Sequence, residues 1–329
     1  MKVRAVAPCR VDLAGGTLDI WPLGLLHPGA CTVNVAVDVT VTVEMAPATT
    51  YKVVSGDVEV EAPAAVDLAR HDGSRLAGAV LRHVDPGPVS VVMSSRSPRN
   101  AGLGASSSLC VALLASARRV AGLGELPAAD LVHQARDLEA RLMSLPTGIQ
   151  DHYPALLGGV LEIRHDVGGE AVRPVAVPED LSACLSVVYS GRSHFSAGNN
   201  FEVMVDRLRG ATGTREAMSE IAEVSARVAP ALEVGDFEEV GSLMAAEMAA
   251  RRGLSEVVST VEVEDVIDRA SAVGAWGAKV CGAGGGGCVA ILGPEERKGA
   301  IEGALGEAGY RVIGCGVSGV GLRMADEPT

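Results

Sequence analysis

Lysine is nearly missing from this chain. Only Lys2, Lys52, Lys279 and Lys298 occur among 329 residues, and the remaining basic residues are arginine. No basic stripe is present and the formal net charge is −13. That excludes a surface built to wrap nucleic acid, which needs clustered positive charge. A phosphorylated small ligand stays open, because a few arginines and backbone amides can hold an anion against an unfavourable overall field. Aromatic residues are also scarce, at 3%, so Val, Leu, Ala and Ile must fill the core. Seven cysteines are an odd number and form no CxxC pair, which argues against a disulfide framework or a zinc knuckle. They read as small buried hydrophobes in a reducing compartment. The start, "MKVRAVAPCR", has no apolar signal core, and no run reaches the roughly 20 apolar residues that span a bilayer. A cytoplasmic protein without a membrane partner is expected.

What is present is a mixed α and β pattern. Residues 3–7 and the valine alternation of 33–45 read as strands, the second half-buried. "YKVVS" and "VEVEA" read as a hairpin, 74–84 as a helix and 88–95 as a strand. Helices follow over 106–121, 127–143 and 148–157, and "GGVLEI" begins another strand. In the second half, "ACLSVVYSG" reads as a strand, and 198–251 as helix broken near Gly210, Pro230 and Gly235. A helix over 262–273, a strand–glycine–strand unit, a helix over 294–308 and a strand near 310–319 close the chain. The expected fold is α+β in two domains, 1–180 and 181–329.

Four segments carry chemistry. In "PRNAGLGASSS" (98–108), glycines let main-chain amides turn inward, and a helix start then offers free N–H groups and a favourable dipole to a polyphosphate. The lysine of a P-loop is absent, and a serine-rich N-cap after a flexible turn is the other reading. In "RDLEARLMSLPTGIQDHY" (136–153), Glu139 and Asp151 can divide labour, one holding Mg²⁺ and the other taking a proton from an attacking hydroxyl. Glu139, flanked by Arg136 and Arg141, also reads as part of a solvated face. In "KVCGAGGGGC" (279–288), four consecutive glycines mark a close backbone approach, by a ligand or by a tight interdomain contact, with the ligand favoured. In "APCRVDLAGGTLDI" (7–20), Arg10 can keep a carboxylate ionised, and Asp19 can accept hydrogen bonds from sugar hydroxyls.

In chain order, "APCRVDLAGGTLD", "PRNAGLGASSS" and "KVCGAGGGGC" resemble the three motifs of the GHMP kinase superfamily, which covers galactokinase, homoserine kinase, mevalonate kinase and phosphomevalonate kinase. The resemblance runs from residue 5 to beyond 290. It implies an N-terminal domain like ribosomal protein S5 domain 2, a ferredoxin-like C-terminal domain, ATP and Mg²⁺. By position, it implies that Arg99, Gly102, Leu103, Gly104, Ala105, Ser106, Ser107 and Ser108 cradle the ATP phosphates, and that Ser106 and Glu139 hold the metal. Asp151 matches the catalytic base, with Arg10 as its partner. Gly16, Thr17, Asp19, Gly148, Gln150 and Tyr153 fall on the acceptor side, where Gly284, Gly285 and Gly286 would also lie. The closest look is to the heptose phosphate kinase and fucokinase branch, so a sugar or sugar phosphate is the expected acceptor. Departures are Ala105, where many relatives carry serine, and "GGTLD", where heptose kinases tend to carry a third glycine. Tyr189, Ser190, Arg192 and His194 of "YSGRSH" are the further substrate candidates. A homodimer is an open option.

Overall fold

The computed structural model describes residues 2–178, 180–192 and 196–327, with the side chains of Ser196 and Ala197 left aside. In chain order, β1 (Lys2–Ala14), β2 (Cys31–Pro47), β3 (Tyr51–Ser55) and β4 (Val58–Ala62) precede α1 (Ala65–Leu68) and α2 (Arg75–Val84). Strand β5 (Val89–Ser95) leads into α3 (Ala105–Val120), α4 (Ala128–Met143), α5 (His152–Leu157), β6 (Val160–Asp166) and β7 (Gly169–Pro174). Next come α6 (Leu181–Cys184), β8 (Leu185–Tyr189), α7 (Ser196–Leu208), α8 (Thr212–Glu233), α9 (Phe237–Arg252) and α10 (Val261–Ala272). Then β9 (Gly277–Val280), β10 (Cys288–Leu292), α11 (Glu295–Glu307), β11 (Arg311–Val312) and β12 (Arg323–Glu327) complete the chain.

Two sheets organise these elements, one in the order β12-β1-β2-β5-β3-β4 with β6 attached to β2 and β7 to β6, the other in the order β11-β8-β10-β9. The second is antiparallel. Taken as strands one to four, its order is 4-1-3-2 with helices in the first and last connections, the ferredoxin-like arrangement expected. The fold is therefore two-domain α+β. The chain does not divide at residue 180 alone, however, because β12 pairs with β1 and Val317 bridges Val37. The edge of the first sheet is completed by the last strand, a non-local pairing that no local pattern signals.

Three local readings are corrected. Residues 31–37 of β2 are buried on successive positions and alternate only beyond residue 38, because α3 covers one face of this sheet while α8 and α9 reach the other. Helix α8 runs through Pro230, which sits close to its C-terminal end where little of the i→i−4 ladder remains to lose. The expected strand over 310–319 shrinks to Arg311–Val312. Cys9, Cys31, Cys110, Cys281 and Cys288 are buried thiols, the small core hydrophobes that composition suggested.

Candidate active site

Residues 96–104, between β5 and α3, form one wall of a cleft of about 330 Å³. Gly102 and Gly104 both hold left-handed backbone, at φ 74° and 72°, where a Cβ is disfavoured. The loop is clamped from both domains. Arg10 N donates to Leu103 O at 2.9 Å and Cys288 N donates to Ala101 O at 2.7 Å. A Cβ on Gly102 would stand 2.4 Å from Cys281 O. The clamp presents the first turn of α3, with its unpaired amides, to the cleft.

Ser106 and Ser107 donate to opposite oxygens of Glu139, both at 2.7 Å. Glu139 is buried rather than solvated, because α4 turns this position toward α3 and α5. His152 Nε2 lies 2.7 Å from its Oε2. Burial pushes the Glu139 carboxyl up, yet His152 and the two hydroxyls outweigh it and hold the group below its ordinary pKa. Two hydroxyls and one ionised carboxylate are hard oxygen donors of the kind Mg²⁺ prefers, so this cluster fits such an ion. Ser108 does not join them. It donates to Pro8 O at 2.9 Å and to Gly104 O at 3.1 Å, tying the helix to β1. Arg99 is exposed and lies outside the cleft lining.

Asp151 stands at the N-terminal edge of α5. Arg10 reaches it from β1, with Nε donating to Oδ1 at 2.7 Å and Nη2 within 2.5 Å of the same atom. Arg10 also donates to Gly102 O, so one guanidinium joins the phosphate loop to the carboxylate. Burial works against its charge, but Asp151 and Asp12 more than compensate and keep it protonated. Gly104 completes the contact, since a Cβ there would lie 3.2 Å from Asp151 Cβ.

Asp19 lies beside this pair and accepts from Gln150 N at 3.0 Å. Burial, with the charge of Asp151 adding to it, pushes its pKa up to about 6. Gly148 is required here, because its Cβ would fall 1.7 Å from Asp19 Oδ2. Arg10, Asp19, Gly148, Gln150, Asp151, Ser106, Ser107 and Glu139 all line the one cleft, together with Gly102, Leu103, Gly104 and Ala105.

Other expected residues lie elsewhere. Tyr153 points into a small core with Val132 and Ile149 and donates to Glu170. Tyr189 pairs in the second sheet and packs on its core. Ser190 Oγ is buried without a partner among the described residues, and Arg192 is exposed, 2.7 Å from Glu262. His194 falls outside the described residues. Gly284, Gly285 and Gly286 face the protein's own backbone: a Cβ on Gly284 would meet Val258 O at 2.4 Å, Gly285 N donates to that oxygen, and a Cβ on Gly286 would meet Arg192 O at 3.0 Å. Gly284 to Gly286 are thus packed against their own domain, a Cβ on Gly287 would meet Ala101 O of the first domain at 2.8 Å, and Gly282 and Ala283 are the positions of this segment that line the cleft.

A buried charge cluster beneath the site was not anticipated. Lys279 Nζ lies 2.6 Å from Asp12 Oδ2 and 3.8 Å from Glu247 Oε2. Asp12 Oδ1 also accepts from Gly282 N at 2.8 Å. Arg251 pairs with Glu247 at 2.5 Å and donates to Gly16 O at 2.8 Å. Burial disfavours the Asp12 charge, and Lys279, Arg10 and Arg251 overcome this and hold the carboxyl well below its ordinary range. The one available signal was Lys279, a lysine inside an apolar strand of a lysine-poor chain. Glu247 and Arg251, spaced i,i+4, carry no mark in the sequence that separates them from a solvent-facing helix pair.

The comparisons with known proteins agree with this geometry. The profile of the GHMP kinases N terminal domain matches residues 73–159, and that of the GHMP kinases C terminal matches 228–311. A mevalonate kinase of Thermococcus gammatolerans is 30% identical over 251 residues, covering 72% of this chain and 69% of that protein. One from Thermococcus sibiricus is 29% identical over 252 residues, with the same coverage. The crystal structure of a D-glycero-D-manno-heptose 1-phosphate kinase from Bacteriodes thetaiotaomicron superposes with a TM-score of 0.79 at 20% identity, over 99% of this chain and all of that one. A Lactococcus lactis galactokinase complexed with galactose gives 0.77 at 16% identity, over 98% and 95% of the two chains. With both family domains matched across a fold and cleft of this kind, the chain belongs to the GHMP kinases, phosphotransferases that act on an alcohol group and generally use ATP.

Proposed function

We propose that this protein transfers the γ-phosphoryl group of ATP to a hydroxyl of a sugar or sugar phosphate. The observation that carries the reading is the Arg10–Asp151 pair, set between the phosphate-loop wall and a second buried carboxylate, Asp19. The acceptor oxygen attacks the γ-phosphorus, the bond to the β-phosphate oxygen breaks, and ADP leaves. Asp151 orients the hydroxyl and takes its proton, while Arg10 and the α3 amides offset the negative charge spreading over the transferred group. Ser106 and Glu139 would hold Mg²⁺, which would supply further neutralisation of the triphosphate. Asp19 accepts hydrogen bonds from neighbouring acceptor hydroxyls, which suits a polyhydroxyl compound.

A second reading, mevalonate or another non-sugar alcohol, is favoured by the mevalonate kinases among the curated relatives. An ADP-release screen decides between them. It uses free sugars, sugar phosphates including heptose 7-phosphate, fucose, galactose and arabinose, and also mevalonate and homoserine. Turnover with a sugar class and none with mevalonate or homoserine is expected; the reverse pattern replaces the first reading with the second.

A further inference from the structure

Thr17 adopts φ 79°, a left-handed conformation that a β-branched residue takes only under constraint. Its turn sits between Asp12 and Asp19, and the constraint comes from the other domain. Arg251 on α9 is fully buried. Its Nη2 donates to Gly16 O at 2.8 Å and its Nη1 to Thr17 Oγ1 at 3.3 Å. Glu247, one turn earlier, fixes the guanidinium through Nε at 3.1 Å. Thr17 Oγ1 in turn donates to Asn200 Oδ1 on α7 at 3.1 Å. The turn's own backbone bonds are long, Leu18 N to Gly15 O at 3.3 Å and Ile20 N to Thr17 O at 3.2 Å, so they are weak holders of a strained residue. Arg251 is fully buried and is absent from the cleft lining.

We infer that Arg251 is a positioning residue: reaching across from the second domain, it holds the Gly16–Thr17 turn in its strained form and so fixes Asp19 at the acceptor end of the cleft. Its kinetic consequence rests on the kinase reading; its structural consequence does not.

The test removes acid and base together, as Glu247→Gln/Arg251→Met, so that no lone charge is buried. In the ligand-free protein, amide exchange over residues 15–20 should quicken by about 10-fold or more while residues 102–108 keep their protection. Adding Thr17→Gly, which takes a left-handed φ without a Cβ penalty, should return exchange over 15–20 to within about threefold of the parent. With an acceptor from the screen, its KM should rise by about 10-fold while the KM for ATP stays within about twofold. If the double variant does not fold, Arg251→Lys keeps the charge opposite Glu247 and is read by the same exchange measurement. Unchanged exchange over 15–20, equal loosening of 102–108, or no recovery with Thr17→Gly overturns the inference. A screen that finds no acceptor sinks the kinase reading and leaves the exchange result to stand or fall by itself.

Discussion

At the scale of single residues, two carboxylates share a cleft and differ in surroundings. Asp151 is ion-paired to Arg10 at 2.5 Å, whereas Asp19 has only backbone N–H groups, those of Gln150, Ile149 and its own residue, against its burial. Asp151→Asn keeps the shape and removes the proton acceptor, so kcat should fall by about 100-fold or more, by the usual scale for a general base. Calorimetry should show nucleotide affinity largely kept, and near-normal turnover would remove Asp151 from the mechanism. Asp19 makes a separate prediction about stability. Its native pKa is raised to about 6, above that of the unfolded chain, so the folded state binds the extra proton between roughly pH 4 and 6. Stability from this group is full below that window and is lost as pH rises through it. Asp19→Asn should therefore stabilise the protein at pH 7.5 relative to pH 4, by on the order of 2–3 kcal/mol in urea unfolding. An equal effect at both pH values would contradict the burial argument.

The elements matter because they set where helix ends and side chains meet. Glycine at 104 serves α3 twice: it supplies φ 72° and leaves room for Asp151. Gly104→Ala should lower stability by about 1 kcal/mol from the backbone strain alone. It should also push Asp151 off its geometry and lower kcat/KM by about 10-fold or more, since small misplacements at a reacting centre are amplified. Wild-type kinetics in this variant would show that the α3–α5 junction tolerates a Cβ. The segment around α4 shows why a site element is hard to read locally. Arg136, Glu139 and Arg141 look alike as charged helix residues, and only the packing of α4 against α3 and α5 buries Glu139 alone against Ser106, Ser107 and His152.

At the scale of the whole molecule, the two domains are joined beneath the cleft by buried charges. Asp12 belongs to β1 and Lys279 to β9, and both are fully buried. Removing one partner leaves an uncompensated ion, so Lys279→Met should destabilise the protein by about 3–5 kcal/mol, as judged from denaturant midpoints. The double variant Asp12→Asn/Lys279→Met should recover much of that loss, because neither member is then left as an ion without its partner. Additive losses would mean that the pair does not act as a unit. No helix among the described residues is long and apolar enough to cross a membrane.

The sequence by itself determined the elements whose cause is local. Glycines at 102 and 104 before a helix and the valine alternation of β2 beyond residue 38 were legible because turn chemistry and periodicity act within a few residues, whereas Arg10, Asp19, Ser106, Glu139 and Asp151 were marked as a set by the resemblance of their motifs to a kinase family. Only the tertiary structure decided that β12 closes the first sheet, that Ser108 and Tyr153 turn away from the cleft, and that Gly284 to Gly286 pack on Val258 and Arg192 rather than facing it. It alone also brought Asp12, Lys279, Glu247 and Arg251 together. Those outcomes depend on charges and backbone edges brought together from separate elements, 267 positions apart in the case of Asp12 and Lys279. Their partners, and with them the sign of each desolvation balance, exist only once the two domains have met.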